Sequence, residues 1–100
     1  MTEKYQIIYW RDIPTQLKMK VGRKRSSKSL SARFMVAVDA AAMQAGKADS
    51  DGYMEEWRMG DWQEFTGDPT TVADEQIAQL EADYAGDRLR QLVKQGGREA

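Results

Sequence analysis

The chain has 100 residues, of which 41% are hydrophobic and 31% are charged, and its formal net charge is −1. This length fits one domain with a single core, and the composition is that of a globular protein rather than a disordered tail. The sequence contains neither cysteine nor histidine, which excludes disulfides, thiol catalysis, zinc sites built from thiolate or imidazole, and histidine acid–base chemistry.

Two strands are predicted at the start of the chain. The segment Tyr5–Trp10 is dense in aromatic and β-branched residues, and Thr15–Val21 alternates strictly between apolar and polar side chains. Alternation with a period of two is typical of a half-buried strand. The connection Arg11–Pro14 has four residues, so the two strands are expected to pair as an antiparallel hairpin.

A helix is predicted to begin near Ser27–Ser31, after a basic loop over residues 23–28. Serine side chains suit the start of a helix, and Gly46 suits the position just past its end. Apolar side chains recur on one helical face, and these are Leu30, Phe34, Val38, Ala41 and Ala45.

The second half of the chain is predicted to add one or two strands and two helices. Tyr53–Met59 alternates like a strand, although its two Glu and two Met leave a helix open, and Trp62–Phe65 fits a fourth, short strand. Pro69 favours the first position of a helix. Asp87 is expected to cap a short final helix that Gly96-Gly97 ends.

These elements predict an α+β fold in the order β-β-α-β-(β)-α-α. Helices would pack on one face of a mainly antiparallel sheet. Residues 1–97 are expected to form one domain, and residues 98–100 a frayed tail.

Charge is divided unevenly along the chain. Residues 1–38 carry 9 basic and 2 acidic side chains, a net of +7, whereas residues 39–100 carry 6 basic and 14 acidic ones, a net of −8. Seven basic residues follow one another without an acid between them: Lys18, Lys20, Arg23, Lys24, Arg25, Lys28 and Arg33. This run predicts a surface for an anionic partner. The alternative is that these residues form a solvated strand face and a mobile loop, whose positive charge is partly balanced by the acidic half of the chain. The isoelectric point near 5.4 also opposes general polyanion binding.

Arg11 and Trp62 each admit two interpretations. Arg11 could form a local ion pair at the hairpin bend, where Asp12 could close an Asx turn, or it could present its guanidinium to a carboxylate or phosphate. Core packing is the default for all three tryptophans. Trp62 flanks a polar turn, so it is the one expected to be exposed, where it could anchor an interface.

Carboxylates crowd into residues 55–68, where Glu55, Glu56, Asp61, Glu64 and Asp68 lie within 14 positions. Paired acids could perform acid–base work or hold a hard cation. Solvated strand edges and helix caps explain them more simply. We therefore assign no catalytic residue, no metal ligand and no cofactor.

The string Tyr9–Gln16 (YWRDIPTQ) resembles the opening signature of the small bacterial virulence factor domain family, which is also found as the C-terminal module of conserved virulence factor C. Weaker likenesses extend over nearly the whole chain, at residues 22–24, 30–34, 39–43, 53–58, 88–89 and 96–97. The resemblance implies a free-standing domain that larger relatives attach to helical-repeat scaffolding, and it carries over no activity, ligand or catalytic residue.

We expect a non-enzymatic protein-binding adaptor that uses the hairpin's polar face, the basic loop and Arg33 to bind an acidic protein. RNA ranks second as a partner, because the sequence contains no motif that reads bases. A small enzyme built on carboxylates and Arg11, and a homodimer through the sheet edge or Trp62, remain open. The apolar run near the start is too short for a signal peptide, and no stretch of roughly 20 apolar residues occurs, so we expect a cytoplasmic protein without a membrane partner.

Overall fold

The computed structural model describes residues 3–99, which form five strands and four helices. The strands are β1 (Glu3–Trp10), β2 (Ile13–Val21), β3 (Lys24–Ser29), β4 (Trp57–Met59) and β5 (Gln63–Glu64). The helices are α1 (Ala32–Gln44), α2 (Ser50–Glu55), α3 (Pro69–Asp83) and α4 (Gly86–Lys94). The predicted α+β class with an antiparallel sheet is confirmed.

The sheet has the strand order β3-β2-β1-β4, and β5 also pairs with β1. The predicted hairpin of β1 and β2 is confirmed, but its turn has two residues, Arg11 and Asp12, instead of four. Arg11 adopts a left-handed backbone with φ of 53°, which suits a tight hairpin turn. Pro14 lies inside β2 beside a shift in register between the two strands, where a residue without an N–H is tolerated.

The predicted basic loop over residues 23–28 is instead β3, an edge strand that pairs with β2 from Val21↔Lys24 to Gln16↔Ser29. Gly22, with φ of 61°, closes the tight turn between the two strands. Every residue of β3 is exposed, so the strand has no alternation to reveal it. Its charged side chains are typical of a sheet edge protected against pairing with other chains. The first helix begins at Ala32 with Ser31, the last residue of the predicted range, as its N-cap residue, but the Ser31 side chain makes no capping hydrogen bond.

The segment predicted as a strand or a helix over residues 53–59 contains parts of both. Helix α2 ends at Glu55, and β4 begins two residues later at Trp57. The carboxylate of Asp49 accepts a hydrogen bond from the Gly52 N–H (3.2 Å) and caps α2. The predicted short strand near Trp62 is confirmed as β5, which pairs with β1 rather than with β4.

Helices cover one face of the sheet, as predicted. The side chains of α3 pack on Ile7, Leu17 and Met19 of β1 and β2, and α1 and α4 pack together around Trp10, Phe34 and other buried residues. Of the predicted stripe, Leu30, Phe34, Val38 and Ala41 are buried in this core, whereas Ala45, at the end of α1, is half-buried. Helix α4 begins at Gly86, so Asp87 lies in its first turn instead of capping it. No helix within residues 3–99 is both long enough and apolar enough to cross a membrane.

Candidate functional site

Three basic side chains form a row across β1, β2 and β3. The register places Lys4 opposite Lys20, and Lys20 opposite Arg25. Leu17 and Met19 point into the core beneath α3. Because successive side chains of a strand point to opposite faces, Lys20 and its partners lie on the other, open face of the sheet.

Lys18 lies on the same face, opposite Ser27 of β3. We call Lys4, Lys18, Lys20 and Arg25 the basic sheet face. None of their charged nitrogens lies within 4 Å of a carboxylate of residues 3–99. The one acidic residue paired with this row is Glu64 of β5, opposite Lys4.

A depression of about 350 Å³ on this face combines cationic and apolar side chains. Lys18 and Arg25 line it together with Met59 and Trp62. The indole of Trp62 is 41% exposed, as predicted, whereas Trp10 is buried and Trp57 is half-buried. The Gln6 side chain donates a hydrogen bond to the Gly60 carbonyl (3.0 Å), which fixes the start of the segment carrying Trp62.

The remaining basic residues of β3 and its turn lie apart from this row. Arg23 lies in the turn before β3, and Lys24 pairs with Val21 on the face that α3 covers. Lys28 lies on that face too, and its ammonium forms an ion pair with Asp74 of α3. The structure therefore brings together Lys18, Lys20 and Arg25 of the predicted set, with Arg23, Lys24 and Lys28 outside it.

Arg33 ties α1 to the end of α3. Its guanidinium donates to the Glu81 carboxylate (2.9 Å) and to the backbone carbonyls of Glu81 (2.7 Å) and Tyr84 (2.6 Å). It also lies over the ring of Phe34, 4.4 Å from the ring centroid. These bonds occupy the guanidinium, although the Arg33 side chain is still 37% exposed, and Arg33 is not part of the basic sheet face.

The carboxylate of Glu81 receives hydrogen bonds from two residues, Ser31 and Arg33. The N–H and hydroxyl of Ser31 donate to it at 2.7 and 2.8 Å, in addition to Arg33. Burial raises the pKa of Glu81, but the hydrogen bonds from Ser31 and Arg33 outweigh this effect and leave the pKa below its ordinary value. The charged form of Glu81 is thus favoured by folding.

Glu81→Gln is expected to lower the free energy of unfolding at neutral pH by about 1 kcal/mol, since it weakens charge-assisted hydrogen bonds at a half-exposed site. A lowered folded-state pKa stabilises the protein above the unfolded-state pKa, about 4.3 for Glu. That contribution is lost as the pH falls through the lower folded-state pKa. Urea unfolding at a series of pH values from 7 downwards would measure the difference in the free energy of unfolding between wild type and Glu81→Gln. The loss of unfolding free energy in Glu81→Gln should shrink in acid. At pH 7 the control Glu75→Gln, an exposed position on the same helix, should stay within about 0.5 kcal/mol of wild type.

Arg11 is also held inside the fold. Its guanidinium Nη1 donates to the Gly96 carbonyl (3.0 Å), and its Nε lies 3.2 Å from a carboxylate oxygen of Glu56. The two side chains are only 10% and 19% exposed. Among the buried side-chain nitrogens and oxygens of the described residues, Nε of Arg11 is the one without a well-formed hydrogen bond. The geometry favours the structural interpretation of this residue.

Of the acidic residues of 55–68, Glu56 and Asp68 make contacts that hold the fold together. Glu56 is shared between Arg11 and Arg98, whose nitrogen lies 3.4 Å away, and Asp68 accepts from the Thr71 N–H (3.0 Å) as the cap of α3. Within residues 3–99, no three carboxylates gather in a way that could hold a metal ion.

The sequence was also compared with known proteins. A family model described as virulence factor matches residues 8–93, which include the string Tyr9–Gln16. Searches of curated proteins and of solved structures gave no match.

Proposed function

The chain belongs to the virulence factor family, and we propose that it is a non-enzymatic adaptor module that binds an acidic protein through the basic sheet face. The observation that carries the proposal is the row of Lys4, Lys20 and Arg25 across three neighbouring strands. Its proposed location is the cytoplasm.

Like charges directly opposite each other on paired strands destabilise a sheet. The row contains two such pairs, and the structure offers these cations no carboxylate within 4 Å among residues 3–99. A bound carboxylate surface would relieve the repulsion and gain charge-assisted hydrogen bonds. Acidic residues of a partner are therefore a natural complement to this face.

Trp62 and Met59 supply the apolar part of the proposed interface. Both side chains are exposed beside the cations, and aromatic and methionine side chains are enriched where proteins meet. A surface of mixed cationic and apolar character fits a protein partner better than a nucleic acid. A lone exposed indole gives little surface for stacking successive bases.

Lys20→Glu is expected to weaken binding at least roughly tenfold, because it reverses the central charge of the row. The same change converts both like-charge pairs into opposite-charge pairs, so it should raise the free energy of unfolding by about 0.5 kcal/mol. Loss of binding without loss of stability would separate function from folding. The control is Lys24→Glu, which changes the net charge equally on the other face of the sheet.

The experiment uses the full chain as bait in an extract of the native cell, followed by titration of the captured protein. We expect an acidic protein that Lys24→Glu retains and Lys20→Glu loses, with an affinity that falls as salt is raised. Capture that nuclease abolishes would instead identify RNA as the partner. Equal capture by wild type and Lys20→Glu would refute the proposal.

A further inference from the structure

A groove of about 500 Å³ runs between α1 and α4, and it is lined by other residues than those of the basic sheet face. Val36 and Ala40 of α1 line one side, and Leu89 and Val93 of α4 line the other. On each helix these positions are four residues apart, so they form a stripe along the helix. Two parallel stripes of this kind make a channel that a third helix can fill.

Val36 shows that this groove lacks a partner within the described chain. Its side chain is 66% exposed, whereas Phe34 and Val38 of the same helix are fully buried. Ala37 of α1, which is buried, and Gly86 at the start of α4 also line the groove. The groove is thus an apolar surface between helices that already pack on each other.

Charge around the groove indicates what would cover it. Each charged side chain that lines it is basic: Arg33, Arg90 and Lys94. Arg33 is bonded to Glu81 and Arg90 pairs with the exposed Asp87, while no carboxylate of residues 3–99 lies within 4 Å of the Lys94 ammonium. An apolar floor with a basic rim complements an apolar stripe flanked by acids.

We infer that the α1–α4 groove is a second docking site, and that it takes an acidic amphipathic helix of a partner protein. Helix α4 has nine residues, so the docked helix would make contact over about two and a half turns. The acidic helix α3 of a second copy is not available for this groove, because Ala73, Ile77 and Leu80 already pack against its own core.

The test is a selection with the full chain as target and a displayed library of helical peptides of about 16 residues. Apolar side chains are fixed at positions i, i+4, i+7 and i+11, and the flanking positions are varied among acidic, neutral and basic residues. We expect enrichment of acidic flanks. Peptides synthesised from the selection should bind Val36→Glu at least tenfold more weakly than wild type and should bind Lys94→Glu more weakly as well.

Met43→Glu is the matched control, since Met43 is 73% exposed on the same helix but does not line the groove. It should bind the selected peptides within twofold of wild type, and circular dichroism should show that both variants are folded. Selected peptides that bind Val36→Glu as well as wild type, enrichment of neutral or basic flanks, or no enrichment would each overturn the proposal. So would self-association of wild type that Val36→Glu abolishes, because a second copy would then cover the groove. Lys20→Glu should not affect these peptides, so this test stands apart from that of the basic sheet face.

Discussion

Replacing Trp10 with alanine is expected to lower the free energy of unfolding by about 4 kcal/mol. The side chain is fully buried, its Nε1–H donates to the Tyr53 carbonyl (2.9 Å), and its ring lies 5.8 Å from that of Tyr53. Alanine would leave a large cavity and a carbonyl without its donor. A domain of this size has about 5–15 kcal/mol of stability in total, so the loss should be plain in urea unfolding followed by circular dichroism.

Trp62→Ala provides the comparison for this prediction, because it removes the same side chain from an exposed position. Its effect on stability should stay within about 0.5 kcal/mol, whereas its effect on binding at the basic sheet face should be large. Equal stability of the two variants would contradict the central role of Trp10 in the core. Unchanged binding by Trp62→Ala would remove this indole from the proposed interface.

Elements with one buried face could be predicted from the sequence. Alternation predicted β2, and the stripe of Phe34, Val38 and Ala41 predicted α1, since in each case one set of side chains contacts the core. Strand β3 could not be predicted in this way, because both of its faces are exposed. Its pairing depends on the turn at Gly22 and on the free edge of β2, and neither appears as a hydrophobic pattern.

The same limit applies to the candidate site. Period-two alternation predicted that Lys18 and Lys20 share a face, and the pairing of β3 adds Arg25. Lys28 and Arg33 instead contact Asp74 and Glu81. These acids come from α3, in the acidic half of the sequence, so tertiary packing removes part of the charge separation seen along the chain. Only long-range contacts decide which cations remain free of carboxylates.

The string Tyr9–Gln16 contains a junction between the two ends of the chain. The backbone N–H of Asp12 donates to the Gly97 carbonyl (2.8 Å), and its carboxylate accepts from the Glu99 N–H (2.6 Å). Glu99, in the predicted frayed tail of residues 98–100, thus contacts the hairpin, and Arg98 of the same tail lies 3.4 Å from Glu56. Residue 100 lies outside the described residues. Arg11 likewise donates to a backbone carbonyl 85 positions further along the chain. Backbone acceptors leave no pattern of side chains in the sequence, so this junction could not be predicted. It gives the most specific string of the sequence a structural role.

Gly97→Ala is expected to lower the free energy of unfolding by about 3 kcal/mol, for two reasons. The backbone of Gly97 has a φ of 92°, a value that residues with a side chain rarely adopt. A Cβ at this position would also lie 3.0 Å from Cζ3 of the Trp10 ring, which is packed on all sides and cannot yield. Thermal and urea unfolding would both measure the loss.

Gly67→Ala separates these two causes. Gly67 has a similar φ of 105°, but nothing lies within 4 Å of a Cβ built there, so this variant should show only the backbone cost, about 1–2 kcal/mol. The additional loss of unfolding free energy in Gly97→Ala is then due to the contact with Trp10. This additional loss should shrink in a double-mutant cycle with Trp10→Phe, because the smaller ring leaves space for the methyl group. Equal losses at Gly67 and Gly97, or strict additivity in the cycle, would show that the end of the chain does not press on the Trp10 ring.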